Sequence, residues 1–135
     1  PLVFPPLEIL FPPGDTYKHF DLKWQEYTLM ASRPVTDPPL HAALQRLVQR
    51  LMVAIDGVGC CRCDIRMDSA GRLYLLDCNV SPGIFFPDGS YGSADLILSS
   101  VPNGHRHLLQ HMITCALRRA STHAGPRSAS TSTPS

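Results

Sequence analysis

"GCCRCDIRMDSAGRLYLLDCN", residues Gly59 to Asn79, holds four of the five cysteines beside two groups of oxygen-bearing side chains. "CRCDIRM" and "RLYLLDCN" flank "DSAG", whose Asp and Gly are turn residues, so the segment reads as two antiparallel strands reversing at Ser69 and Ala70. In the simplest register Arg62 lies opposite Asp77 and Cys61 opposite Cys78. Side chains alternate between the faces of a strand, which gathers Arg62, Asp64, Asp77 and Asn79 on one face. Cys61, Cys63, Ile65, Tyr74, Leu76 and Cys78 share the other. The first face concentrates two carboxylates, an amide and a guanidinium, and the second suits packing under helices.

Two neighbouring carboxylates repel unless cations neutralise them. Together with an amide oxygen they offer the hard donors that Mg2+ accepts, alongside water and phosphate oxygens. A surface ion pair between Arg62 and Asp77 is the plain structural alternative, and is worth little. Sulfur chemistry carries less weight. Cys60, Cys61 and Cys63 lack the twice-repeated C-x2-C spacing of a structural zinc site, and small strand side chains are the simpler reading.

Working outward, "TDPPLHAALQRLVQRLMVAIDG" predicts a helix capped by Asp37, with prolines in its first turn and Gly57 at its end. Its apolar stripe is Leu40, Leu44, Leu47, Val48, Leu51, Met52 and Ile55, a core-facing pattern. A second helix signal starts near "GSADLILSS". A third covers "HRHLLQHMITCALRRA", with Leu108, Leu109, Met112, Ile113 and Ala116 on its inner side. His107 and His111 stand four apart on it, without an HExxH glutamate, and read as a solvated face. Upstream, Leu7 to Phe11 reads as a strand, and "TYKHFDLKWQEY" as an aromatic loop or edge strand holding the only lysines, Lys18 and Lys23. From Ser121 the Ser, Thr, Ala and Pro composition predicts a disordered tail.

The 135 residues fit one domain, and a formal net charge of +1 gives no general attraction to nucleic acid or anionic membranes. No apolar run reaches the roughly 18 to 20 residues of a membrane span. An odd number of cysteines, three of them within four positions, suits a reducing compartment, and a cytoplasmic location is expected. The chain starts at Pro1 rather than Met, as a fragment or processed product would.

The run "RCDIRMDSAGRLYLLDCNVSPG" resembles the metal-binding hairpin of ATP-grasp ligases, most closely the C-terminal half of D-alanine-D-alanine ligase-like proteins. Their pattern is R-x-D, twelve residues, E-x-N-x-x-P-G, and Arg62, Asp64, Asp77, Asn79, Pro82 and Gly83 match its spacing. "HFDLKW" is similar to the segment those ligases place over the nucleotide phosphates, and "LEIL" to the strand before it. The resemblance implies an α+β fold, an ATP-grasp C-terminal subdomain of mainly antiparallel sheet packed against helices, over residues 1 to 120. It implies ATP and Mg2+, or Mn2+ in its place, as cofactors. Small-molecule carboxylate and amine substrates would be joined through an acyl phosphate.

In that mapping Asp64, Asp77 and Asn79 hold the metal, with Asp77 bridging two ions against ATP, and Arg62 stabilises the acyl phosphate. Lys23 sits on a phosphate as a point charge. Ser93, or Ser90 after it, binds a substrate carboxylate at a helix start. The sequence departs from the pattern in having Asp77 where the family has glutamate, and in the longer aromatic loop "IFFPDGSYG". The glycine-rich loop, further lysines and acidic hinge of the family's N-terminal half are not found here, so that half is the expected missing partner. Two alternatives are a non-catalytic remnant acting as an interaction module, and metal binding through Cys60, Cys61, Cys63 and Cys78.

Overall fold

The computed structural model describes residues 1–13, 31–87 and 90–123. Among them the chain is a small α+β fold of two separate antiparallel strand pairs and three helices. Strand β1 (Leu7–Leu10) pairs with β2 (Ala31–Pro34), Leu7 opposite Pro34 and Leu10 opposite Ala31. Arg33 crosses to Glu8 at 2.7 Å on this pair, both side chains exposed. β1 falls where the sequence predicts a strand. β2 has no such signal, since "ASRP" lacks apolar alternation and its pairing comes from β1.

Helix α1 (Pro38–Ala54) is built as its sequence dictates. The Asp37 carboxylate accepts from the Leu40 amide at 2.9 Å, and the two prolines occupy the first positions, where a missing N–H costs nothing. Its end differs in detail from expectation: Asp56, not Gly57, takes the left-handed conformation (φ 48°), and the Gly57 amide donates to the Met52 carbonyl at 2.8 Å. Gly57 matters for another reason. A Cβ there would lie 2.6 Å from Met52 Cε, so glycine lets the methionine fold over the helix end.

The hairpin follows as β3 (Arg62–Met67) and β4 (Leu73–Asn79). Then come α2 (Ser93–Ser99) and α3 (Gly104–His123). These two helices pack closely: a Cβ on Gly104 would collide with the Leu98 carbonyl, so only glycine permits the approach. α3 runs on through Ser121 and Thr122, whose hydroxyls donate to the Arg118 and Arg119 carbonyls at 2.8 Å each. The remainder of the expected tail, residues 124–135, lies outside the described residues.

Among the described residues the fully buried apolar side chains are Ala94, Leu98 and Leu108, all at the α2–α3 contact. The stripe of α1 is less enclosed than its pattern predicts: none of its residues is fully buried, and Ile55 is exposed. On α3 the expected inner side is likewise divided, with Leu108 buried but Leu109 and Ile113 exposed. These apolar faces border one open hollow of about 2000 Å³, lined by Leu40, Leu44 and Val48 of α1, Ile65 of β3, and Leu108 and Met112 of α3. No helix among the described residues is long and apolar enough to cross a membrane.

Candidate functional site: a two-faced hairpin

The turn at the tip of the hairpin is organised by Asp68. Its carboxylate accepts from the Ala70 amide (3.0 Å), the Arg72 amide (2.9 Å), the Arg72 guanidinium (2.7 Å) and the Tyr74 hydroxyl (3.2 Å). These bonds, the Arg72 amide foremost, hold Asp68 below the ordinary aspartate range. Ser69 and Ala70 make the reversal as expected. Gly71 then takes φ 78°, adding a residue that only glycine accommodates without strain.

That extra residue shifts the register by one. A second irregularity, between Asp64 and Ile65, leaves Leu76 unpaired and shifts it by one more. The observed partners are therefore Arg62 with Asn79, Cys63 with Cys78, and Asp64 with Asp77, beyond which Ile65 pairs with Leu75 and Arg66 with Tyr74. The simple register, with Arg62 opposite Asp77 and Cys61 opposite Cys78, is corrected by two places. Because the side-chain period is two, a displacement of two restores the original faces. Arg62, Asp64, Asp77 and Asn79 share one side, and the acids, rather than the arginine and an acid, stand directly opposite each other. Between the two irregularities the assignment does change. Tyr74 lies opposite Arg66 and bonds Asp68, away from the thiols, while Leu76 is 67% exposed.

On the oxygen face Arg62 makes a two-pronged contact with Asp64, Nε to Oδ1 at 2.9 Å and a terminal nitrogen to Oδ2 at 3.0 Å. The ion pair expected with Asp77 is thus made with Asp64 instead. Asp77 is exposed and its carboxylate has no protein partner among the described residues. Asn79 directs its side-chain oxygen to the Ser81 amide at 3.0 Å, a local turn that starts the loop. Two opposed carboxylates, one without a partner, with an amide beside them, are a donor set suited to a hard divalent cation. Each Asp64 oxygen also keeps a lone pair beyond its bond to Arg62.

The reverse face carries sulfur. Cys61, Cys63 and Cys78 are free thiols whose sulfurs all lie within 4.8 Å of one another. Cys61 Sγ is 3.8 Å from Cys63 Sγ and 3.3 Å from the thioether sulfur of Met52. Burial, then the neighbouring thiols, pushes Cys63 up to about 12, and burial likewise raises Cys61, so both are protonated at neutral pH.

The other predicted positions are placed as follows. Ser93 is the first residue of α2 and Ser90 precedes that helix, its amide donating to the Pro87 carbonyl at 2.9 Å. Lys18 and Lys23, with the "HFDLKW" segment, lie outside the described residues. On α3 the His111 ring nitrogen is 3.5 Å from Cys115 Sγ. A residue the sequence reading passed over is Asp95, 3% exposed. It accepts from His105 Nε2 at 2.8 Å and from the amides of Phe85 (3.0 Å), Gly92 (3.3 Å) and Phe86 (3.5 Å). Its bond to the Gly92 amide is half of a capping box, and with glycine at the cap the sequence carries no S/T-x-x-E signature that would have pointed to it. His105, distant in sequence, leaves no trace either. Phe85, strained at φ 65°, stacks obliquely on that histidine with ring centres 5.5 Å apart. No protein-family model matches the chain, and no solved structure matches it.

Proposed function

We propose that the chain is the C-terminal, catalytic part of an ATP- and Mg2+-dependent carboxylate–amine ligase of the D-alanine-D-alanine ligase-like, ATP-grasp type, acting through an acyl phosphate. The observation that carries this reading is the shared face of Arg62, Asp64, Asp77 and Asn79, with the two acids opposite each other. Asp64, Asp77 and Asn79 would hold the metal, which supplies charge neutralisation for phosphoryl transfer. Arg62, half-buried and already oriented by Asp64, can keep one edge on that carboxylate and offer its remaining N–H donors to an acyl phosphate oxygen. A guanidinium fixed in this way need not reorganise as charge develops on the oxyanion. Lys23 would bind a phosphate, and Ser93 or Ser90 a substrate carboxylate. The family's N-terminal half would complete the nucleotide clamp.

The Asp77 carboxylate is one methylene shorter than the glutamate of the family pattern, and Arg62 engages both oxygens of Asp64. These two features favour a second reading, a non-catalytic remnant in which the hairpin is an interaction surface. Calorimetric titration of Mg2+ and a nonhydrolysable ATP analogue, using the complete reading frame that encodes this chain, separates the two. The ligase reading expects Mg2+-dependent binding that falls at least about 10-fold in Asp77→Ala and in Asn79→Ala, given that even outer-shell changes cost metal sites 10- to 100-fold. Unchanged affinity in both variants rejects it.

A further inference from the structure

The thiol face of the hairpin is independent of the oxygen face and of the function proposed for it. We propose that Cys61, Cys63 and Cys78 form a binding site for a soft, low-coordinate metal ion, namely monovalent copper. Three observations carry this. First, the corrected register sets Cys63 directly opposite Cys78, while Cys61, two residues before Cys63 on the same side, completes a triangle of sulfurs within 4.8 Å of one another. An ion about 2.3 Å from three sulfurs and lying in their plane holds them about 4 Å apart. The 3.8 Å between Cys61 and Cys63 already meets that spacing, and the third sulfur needs only a small side-chain adjustment.

Second, the additional neighbour is also soft. Met52 brings its thioether to 3.3 Å from Cys61 Sγ, and the close approach at Gly57 keeps it there. Thiolate and thioether donors suit Cu(I), zinc and iron–sulfur clusters, and the number of ligands separates them: structural zinc and the clusters take four strong donors, whereas this group offers three thiols and a weak thioether. Among the described residues this is the one group of three or more His, Cys, Asp or Glu side chains placed to share an ion, and no imidazole or carboxylate belongs to it. Third, the three cysteines are free and only half-buried, so an ion can reach them without unfolding the hairpin. On binding, each thiol that becomes a ligand gives its proton to solvent and the copper stays monovalent, so no electron is transferred.

The test loads the full, reduced chain with Cu(I) under anaerobic conditions and challenges it with a bathocuproine-type chelator. The expected result is one retained copper per chain with a sulfur-only coordination shell by X-ray absorption. Retention should weaken at least 10-fold in Cys63→Ser and in Cys78→Ser, and should be unchanged in Cys60→Ser and Cys115→Ser. A measurement on the unmodified chain guards against variants that fail to fold: Cu(I) should protect Cys61, Cys63 and Cys78 from alkylation while Cys60 and Cys115 still react. Loss of copper to the chelator from the unmodified chain, a shell containing nitrogen, or equal protection of all five cysteines overturns the proposal. So does tighter, four-coordinate zinc binding that recruits Cys60.

Discussion

Asp95 shows how one side chain can hold several elements in place. Burial by itself would raise its pKa, but the bonds from His105 and from the Phe85, Gly92 and Phe86 amides outweigh that cost and hold it below the ordinary aspartate range. A carboxyl whose native pKa is depressed contributes stability at pH values above the unfolded-state value of about 3.9, and loses it as pH falls through the lower native value. Urea denaturation should therefore show a midpoint that drops on going from pH 7 to pH 3. Asp95→Asn should have a lower midpoint than the parent at pH 7 and a flatter response to acid. An unchanged midpoint at pH 7 in this variant would mean that the buried carboxylate does not hold the Phe85, Phe86 and Gly92 backbone to His105 of α3. Arg62 is legible in the sequence only in part. Its face was legible, but its partner was not, because the choice between Asp64 and Asp77 depends on a register set elsewhere in the hairpin.

The hairpin's two irregularities decide which side chains meet. With the Gly71 displacement alone, Asp77 would stand opposite Cys63 and the acids would lie on opposite faces; the unpaired Leu76 returns Asp77 to Asp64. Deleting Leu76 should regularise β4 while preserving every observed pair from Arg62–Asn79 to Met67–Leu73. Cross-strand nuclear Overhauser contacts between Asp64 and Asp77 should persist in the deletion variant. Contacts from Asp64 to Cys78 instead would show that the strand had slipped. The alternation of the strands and the turn chemistry of "DSAG" were readable in advance, and so was α1, since Asp37, two prolines and a spaced apolar stripe act locally. The irregularity at Leu76 was not readable, because nothing in "YLLDC" distinguishes a bulged leucine from a paired one. β2 was hidden for the same kind of reason: a four-residue polar segment becomes a strand only when β1 lies beside it.

The described residues enclose little apolar surface for a chain with 44% hydrophobic content. Fully burying a large apolar side chain contributes about 1.5–3 kcal/mol, and Leu98 and Leu108 are the two large ones buried here. The 2000 Å³ hollow beside α1 leaves apolar faces accessible to a small aromatic dye. The chain should bind anilinonaphthalene sulfonate with a strong rise in fluorescence, and Leu98→Ala, at a cost of about 2–5 kcal/mol, should abolish cooperative unfolding. A sharp thermal transition without dye binding would show that these faces are closed in solution. The ligase reading asks for something narrower, that hard cations choose the oxygen face of the hairpin over every other acid in the molecule. Paramagnetic broadening of backbone amide signals by substoichiometric Mn2+ tests this most directly. The account predicts that Asp64, Asp77 and Asn79 fade first. Loss of signal at Glu8 or Asp56 with the hairpin untouched would contradict it.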